Sequence, residues 1–315
     1  MYVLASVNPE AGLRNPRMRV LTKSKITYSL TLGLMLGLGV GAISALGTSA
    51  GWLPGLAILV GFLLIAMRKP LRRWRATRGP FPEWASDWLE EHVGVYPHLA
   101  GEARRRFDTD VQIILDEWRF EGSGQVKVTE KRRLRVAAGA ALLLHGHPEW
   151  ELPYRHTVLF YSEQFDDDYV IESEGEFDGM AHQQGPIILS VKALDECWQG
   201  DPGAGNVVLH ELAHLLDYKT EFADGVPSLV DARSAVAWQA LVHREMERIK
   251  RGRSILPDYG STEPAELFAC AVESFFEESD LLERRHPELF AALKALFNMD
   301  PRTGTMSAAA EFRNR

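Results

Sequence analysis

Two long apolar runs open the chain, and the pattern changes after them. Residues 26–46 (ITYSLTLGLMLGLGVGAISAL) carry no charge, and about 20 apolar residues are enough for one helix to span a bilayer. Gly47-Thr48-Ser49 is a polar break. A second apolar run covers Ala50 to Met67. It is near the short limit for a span, but Arg68 and Lys69 can extend their side chains to the interface. Pro54 falls near the start of this run, where a missing N–H costs least. Gly33, Gly37 and Gly41 recur every four positions, a spacing that lets two membrane helices approach closely. The pattern predicts a transmembrane helical hairpin over 26–67.

From about Phe81 the period shortens and mixes. Leu99 to Phe120 has helical spacing, with Phe107, Val111, Ile114, Leu115 and Trp118 on one side. Glu121-Gly122-Ser123-Gly124 predicts a stop and turn. Lys131 to His145 predicts a buried Ala/Leu-rich helix. Thr157 to Tyr161 and Pro186 to Val191 read as strands from their branched and aromatic residues, the latter either as an ordinary core strand or as an edge strand beside a cleft. Asn206 to Tyr218, Ala232 to Lys250, Pro264 to Glu278 and Pro287 to Asn298 read as helices. The tail beyond Pro301 is expected to fray. The expected division is a basic segment 1–25, the hairpin 26–67, a basic linker 68–80, a mostly helical α+β domain 81–301 and a tail 302–315.

Charge orients the hairpin. Arg14, Arg17, Arg19, Lys23 and Lys25 precede the first run, and Arg68, Lys69, Arg72, Arg73, Arg75 and Arg78 follow the second. Positive flanks stay in the cytoplasm, so both ends are expected there, with the loop near Thr48 on the far side. A signal peptide and a buried helical hairpin are the competing readings. The second run with its basic end argues against the first, and the lack of any polar face argues against the second. The expected location is the inner membrane, with the domain facing the cytoplasm. The net charge of −8 over 315 residues gives no basic excess of the kind a nucleic-acid binder carries. Two cysteines, Cys197 and Cys270, do not make a disulfide framework.

His210-Glu211-Leu212-Ala213-His214 matches H-E-x-x-H. Positions i and i+4 lie one above the other on a helix, so two imidazoles can converge on one zinc ion. Glu211 then stands beside the open coordination position, where it can take a proton from bound water and deliver it to a leaving amine. Asn206 is a plausible cap for this helix. Metzincins continue with a glycine and a third histidine. Asp217 and Thr220 stand at those positions, which excludes that class. Asp217 shares the histidine face, as a ligand, as a hydrogen-bond partner that orients a histidine, or as a salt-bridge acid. A third ligand must come from downstream. In Thr262-Glu263-Pro264-Ala265-Glu266, Thr262 can cap, Pro264 suits a first turn and Glu266 falls one turn in. Cys270 and Glu273 follow on the same face as rival third ligands, and Glu273, roughly 10 Å further along the axis, could instead hold a ligand histidine. Tyr259 just precedes this helix, where a phenol can serve an oxyanion or simply pack.

The chain from about Pro80 to Pro301 resembles the Mlc titration factor A family of bacterial glucose-regulated metallopeptidases. The resemblance is carried by Val128-Thr129-Glu130 through Leu144, Thr157 to Tyr161, Asn206 to Asp217, Gly225-Val226-Pro227, and Glu263-Pro264-Ala265-Glu266-Leu267-Phe268-Ala269. It implies a zincin-like catalytic domain similar to that of anthrax lethal factor, with Glu266 as third zinc ligand after His210 and His214. A tyrosine seven positions before that ligand assists catalysis in the lethal factor, and Tyr259 stands at this offset. The resemblance further implies zinc-dependent peptidase activity of aminopeptidase-like character on peptide substrates, and binding of a repressor of the Mlc type. A protein that sequesters a transcription factor, with peptidase activity secondary, is the rival reading.

Overall fold

A computed structural model describes residues 23–45, 52–147, 152, 156–162, 179–181, 185–199, 205–217 and 232–306. The loop near Thr48, the basic residues before Lys23, Thr220 and the block Gly225-Val226-Pro227 lie outside the described residues. Two compact units divide the described residues, one within 23–80 and the other within 81–306.

The first unit is a pair of helices, α1 (Lys23–Ala45) and α2 (Trp52–Ala76). Glycines bring them together. A Cβ on Gly37 would stand 2.9 Å from the Gly55 carbonyl oxygen, one on Gly33 would stand 3.0 Å from Phe62 Cδ1, and one on Gly55 would collide with the Gly37 carbonyl. Leu34, Met35, Leu38, Leu53, Leu64 and Ile65 point outward and are exposed. α2 is long and apolar enough to cross a membrane, whereas the apolar stretch described within α1 is the shorter Thr31–Ala42.

The second unit begins with α3 (Glu83–His92), a 3₁₀ turn (Tyr96–His98) and α4 (Gly101–Glu117). Phe107 and Val111 of α4 are fully buried, as the helical spacing requires. The expected helix ends early, because Arg119–Gly122 forms strand β1 and pairs in parallel with β2 (Thr157–Tyr161). The predicted turn at 121–124 is therefore half strand, and its reversal begins at Ser123. α5 (Glu130–Leu144) is capped by Thr129, whose side chain accepts the Arg132 N–H, and is buried from Val136 through Leu144.

The sheet runs in the order β1-β2-β4-β3, with β4 (Ile187–Ser190) parallel to β2 and β3 (Gly179–Ala181) antiparallel to β4. Of the two readings of 186–191 the core strand holds: β4 is flanked on both sides and all four of its residues are buried. Among the described residues the edge belongs to β3, which runs along the helix that bears H-E-x-x-H. β4 passes directly into α6 (Val191–Glu196), capped by Ser190 Oγ on the Ala193 N–H at 3.3 Å.

The rest is helical: α7 (Val207–Asp217), α8 (Ala232–Lys250), a 3₁₀ turn (Asp258–Ser261), α9 (Pro264–Glu277), α10 (Ser279–Arg285) and α11 (Pro287–Phe297). One core links them, with Phe268 and Phe275 of α9, Phe297 of α11 and Leu143 of α5 among its fully buried side chains. Each such side chain contributes about 1.5–3 kcal/mol of apolar burial. The chain stays folded past the expected end at 301. Arg302 reaches Asp300 at 2.8 Å and Asp280 at 3.1 Å, and Met306 pairs with Met299 in an isolated antiparallel bridge.

Candidate metal centre

α7 holds its chemistry on one face and its anchor on the other. Val208, Leu209, Leu212, Ala213, Leu215 and Leu216 are buried. α5 closes against this apolar side at Gly139, where a Cβ would stand 2.6 Å from Val208 Cγ1. Asn206 caps the helix, its Oδ1 accepting the Leu209 N–H at 3.2 Å. Gly205 just before it has φ +70°, a left-handed turn that glycine adopts without strain.

On the polar face, the rings of His210 and His214 stand with centroids 5.0 Å apart and planes at 76°. α9 packs across this face and brings Glu266 to both. Its Oε2 lies 3.0 Å from His210 Nε2 and 3.6 Å from His214 Nε2. A tetrahedral zinc ion with ligand bonds of about 2 Å sets its donor atoms roughly 3.3 Å apart. The two separations to Glu266 bracket that value, and all three donor atoms lie within 4.8 Å of one another, so these residues fit a metal ion.

Electrostatics agree with the geometry. Burial pushes the Glu266 carboxyl up, but its hydrogen bonds to His210 and His214 outweigh this and hold it down at about 2. Burial pulls His210 down, yet Cys270, Glu266 and Glu273 together keep it well above the usual histidine range. Glu211, only 5% exposed, is lifted by burial to about 7 against the pull of both imidazoles.

Tyr259 sits on the 3₁₀ turn before α9. Its ring is 46% exposed and lies 6.1 Å from that of His210, centroid to centroid. Burial, then the charge of Glu266, push its hydroxyl up to about 12. Thr262 does not cap α9. Its Oγ1 bonds back to the Tyr259 carbonyl at 2.7 Å, and Glu263 takes the N-cap position without a side-chain bond. Asp217 is fully buried at the far end of α7. Glu273 reaches the other nitrogen of His210, with Oε1 2.7 Å from Nδ1. The sequence reading missed Glu277, which accepts the Asn206 side-chain amide at 2.7 Å. Its place one turn beyond Glu273 is the signal that could have found it.

A helix bearing H-E-x-x-H, an acid presented to both histidines by a second helix, and a short antiparallel strand alongside are the parts a metallopeptidase centre needs. The chain belongs to the glucose-regulated metallo-peptidase M90 family, whose model matches residues 68–298, and that membership implies a metal ion. It is 28% identical over 273 residues to an uncharacterized protein of Synechocystis sp., covering 78% of this chain and 96% of the relative. It is also 28% identical over 254 residues to Mlc titration factor A of Edwardsiella ictaluri, covering 72% and 92%. Against Mlc titration factor A of Salmonella arizonae the identity is 28% over 240 residues, covering 69% and 92%.

Proposed function

We propose that the protein is a zinc-dependent peptidase in which His210, His214 and Glu266 hold the ion. The observation that carries this reading is the convergence of two imidazole nitrogens and one carboxylate oxygen within 4.8 Å of one another. Two histidines and a glutamate form a donor set of catalytic zinc, which leaves a position open. Zinc in such a site polarises a peptide carbonyl and lowers the pKa of bound water.

The chain's own residues supply the rest. Glu211, lifted to about 7, exchanges protons near neutral pH in both directions, as a group that first removes and then returns a proton must. Tyr259, with its hydroxyl pushed up to about 12, stays a donor and offers a hydrogen bond to the developing oxyanion. The outer edge of β3 gives an extended peptide main-chain groups to pair with. Substrates are peptides, cleaved in an aminopeptidase-like manner.

α1 and α2 form a transmembrane hairpin with both termini in the cytoplasm, supported by the basic flanks and by the apolar length of α2. A C-terminal reporter active only after export would overturn this topology. The relatives named Mlc titration factor A favour a second role, binding of an Mlc-type repressor by the same domain.

The test of the catalytic reading is metal analysis and peptide cleavage on the full chain in detergent. The expected result is one zinc per chain and measurable cleavage, with Glu211→Gln retaining the zinc and losing turnover by about 10²–10⁴-fold. A wild-type chain without zinc, or a Glu211→Gln chain with full turnover, overturns the reading.

A further inference from the structure

His210 is approached from both sides. Its Nε2 faces Glu266 at 3.0 Å, and its Nδ1 faces Glu273 at 2.7 Å. Cys270 joins His210 and Glu273 in a second group of donor atoms, again within 4.8 Å of one another. A proton and a cation cannot share Nδ1. The short contact to Glu273 is what a ring N–H donating to a carboxylate makes, so the Nδ1 face supports His210 and does not carry a second metal ion.

From this geometry we infer that Glu273 is a positioning residue for metal binding: it holds the proton on His210 Nδ1 and so keeps the Nε2 lone pair aimed at the ion. The inference rests on the zinc-peptidase reading and deepens it. Carboxylate partners of this kind fix the tautomer and the ring orientation of a ligand histidine.

Glu273 is itself held in place. Its second oxygen, Oε2, accepts the backbone N–H of Asn206 at 2.5 Å. The carboxylate therefore bridges the N-terminal end of α7 and the first ligand borne by that helix. Backbone N–H groups at a helix N-terminus favour negative charge. Gly205 leaves room for this approach, since a Cβ there would stand 3.1 Å from Oε2. Glu277, one turn further along α9, anchors the same helix end through the Asn206 side chain and does not enter the His210 hydrogen bonds described above. Two glutamates thus tie α9 to the start of α7, and only one of them addresses the imidazole.

The difference makes the inference testable. In Glu273→Gln the amide oxygen can still accept the Asn206 N–H, but its NH₂ then faces Nδ1. That arrangement favours a proton on Nε2, the nitrogen the metal needs. Zinc dissociation constants, measured by chelator competition on the full chain, are expected to rise about 10–100-fold for Glu273→Gln. The unfolding temperature of the metal-free protein should stay at its wild-type value. Glu277→Gln should leave zinc affinity unchanged.

Wild-type zinc affinity in Glu273→Gln overturns the inference. So does an equal loss in Glu277→Gln, because the effect would then come from anchoring the helix. A direct measurement covers the case in which Glu273→Gln fails to fold. The ¹⁵N–¹H ring correlation of His210 in the zinc-loaded wild type is expected to place the proton on Nδ1, and a proton-free Nδ1 overturns the assignment. A wild-type chain that binds no zinc defeats the peptidase reading. A zinc-binding wild type with an unaffected Glu273→Gln defeats only the role of Glu273.

Discussion

His210 and His156 belong to the same domain, and both are shielded from water, yet their surroundings push them in opposite directions. His156 lies just before β2, 4% exposed, edge-on to Trp118 with ring centroids 5.1 Å apart. Its Nε2 has no hydrogen-bond partner among the described residues, and burial alone brings its pKa down to about 4. His210 suffers burial too, but Cys270 and the two glutamates beside it reverse the outcome. Burial makes a histidine neutral, whereas burial among acids makes it a place where positive charge is wanted. The comparison separates a histidine used as a core residue from one proposed as a ligand, although a sequence writes both with the same letter.

Glu266→Ala breaks the comparison most directly, because it removes an acid from the Nε2 side of His210. The chain should lose most of its bound zinc in dialysis followed by metal analysis, while Glu273→Ala keeps zinc with weaker affinity. The reverse pattern would move the third ligand to Glu273.

His156 gives the next largest effect. Its folded pKa of about 4 lies below the unfolded value near 6.5. The unfolded chain therefore binds the extra proton first. Stability falls as pH drops from about 6.5 to about 4 and gains no further loss from this group below that. The shift corresponds to about 3 kcal/mol. Urea unfolding of His156→Phe across this window should show that acid-dependent loss reduced relative to wild type. Parallel pH curves for the two proteins would count against the burial argument.

Tyr259→Phe sharpens the picture at the edge of the site. Turnover should fall by about 10², toward the low end for an oxyanion donor since the ring is half exposed, with zinc content unchanged. An unchanged kcat would leave Tyr259 a packing residue.

Much of the site was legible because its signals are local. His210, Glu211 and His214 lie within one helical repeat, and Glu263-Pro264-Ala265-Glu266 announces the start of α9. The glycines of α1 were readable for a similar reason, since their four-residue spacing is itself the packing device. What escaped depended on partners remote in sequence. β1 is four residues long and becomes a strand only because β2 lies beside it. β4 could not be told apart from an edge strand by sequence, because β3, three residues long, is too short to register as a strand. Arg302 reads as a tail residue until Asp300, Asp280 and Glu283 are seen around it. Glu277 could be suspected only from its place one turn beyond Glu273, since the partner it serves, Asn206, lies about 70 residues earlier in the chain.

The docking of α9 across α7 also sets an order of events during folding. His210 and His214 are presented together as soon as α7 forms, but Glu266 is about 50 residues further along. Two imidazoles alone are a weak trap for an ion. The third donor and both glutamates that tie down the start of α7 arrive together on α9, once the intervening segment, which includes α8, has brought its ends together. On the proposed ligand set, tight metal capture would follow chain closure, and a bound ion would act as a clasp that opposes separation of the two helices.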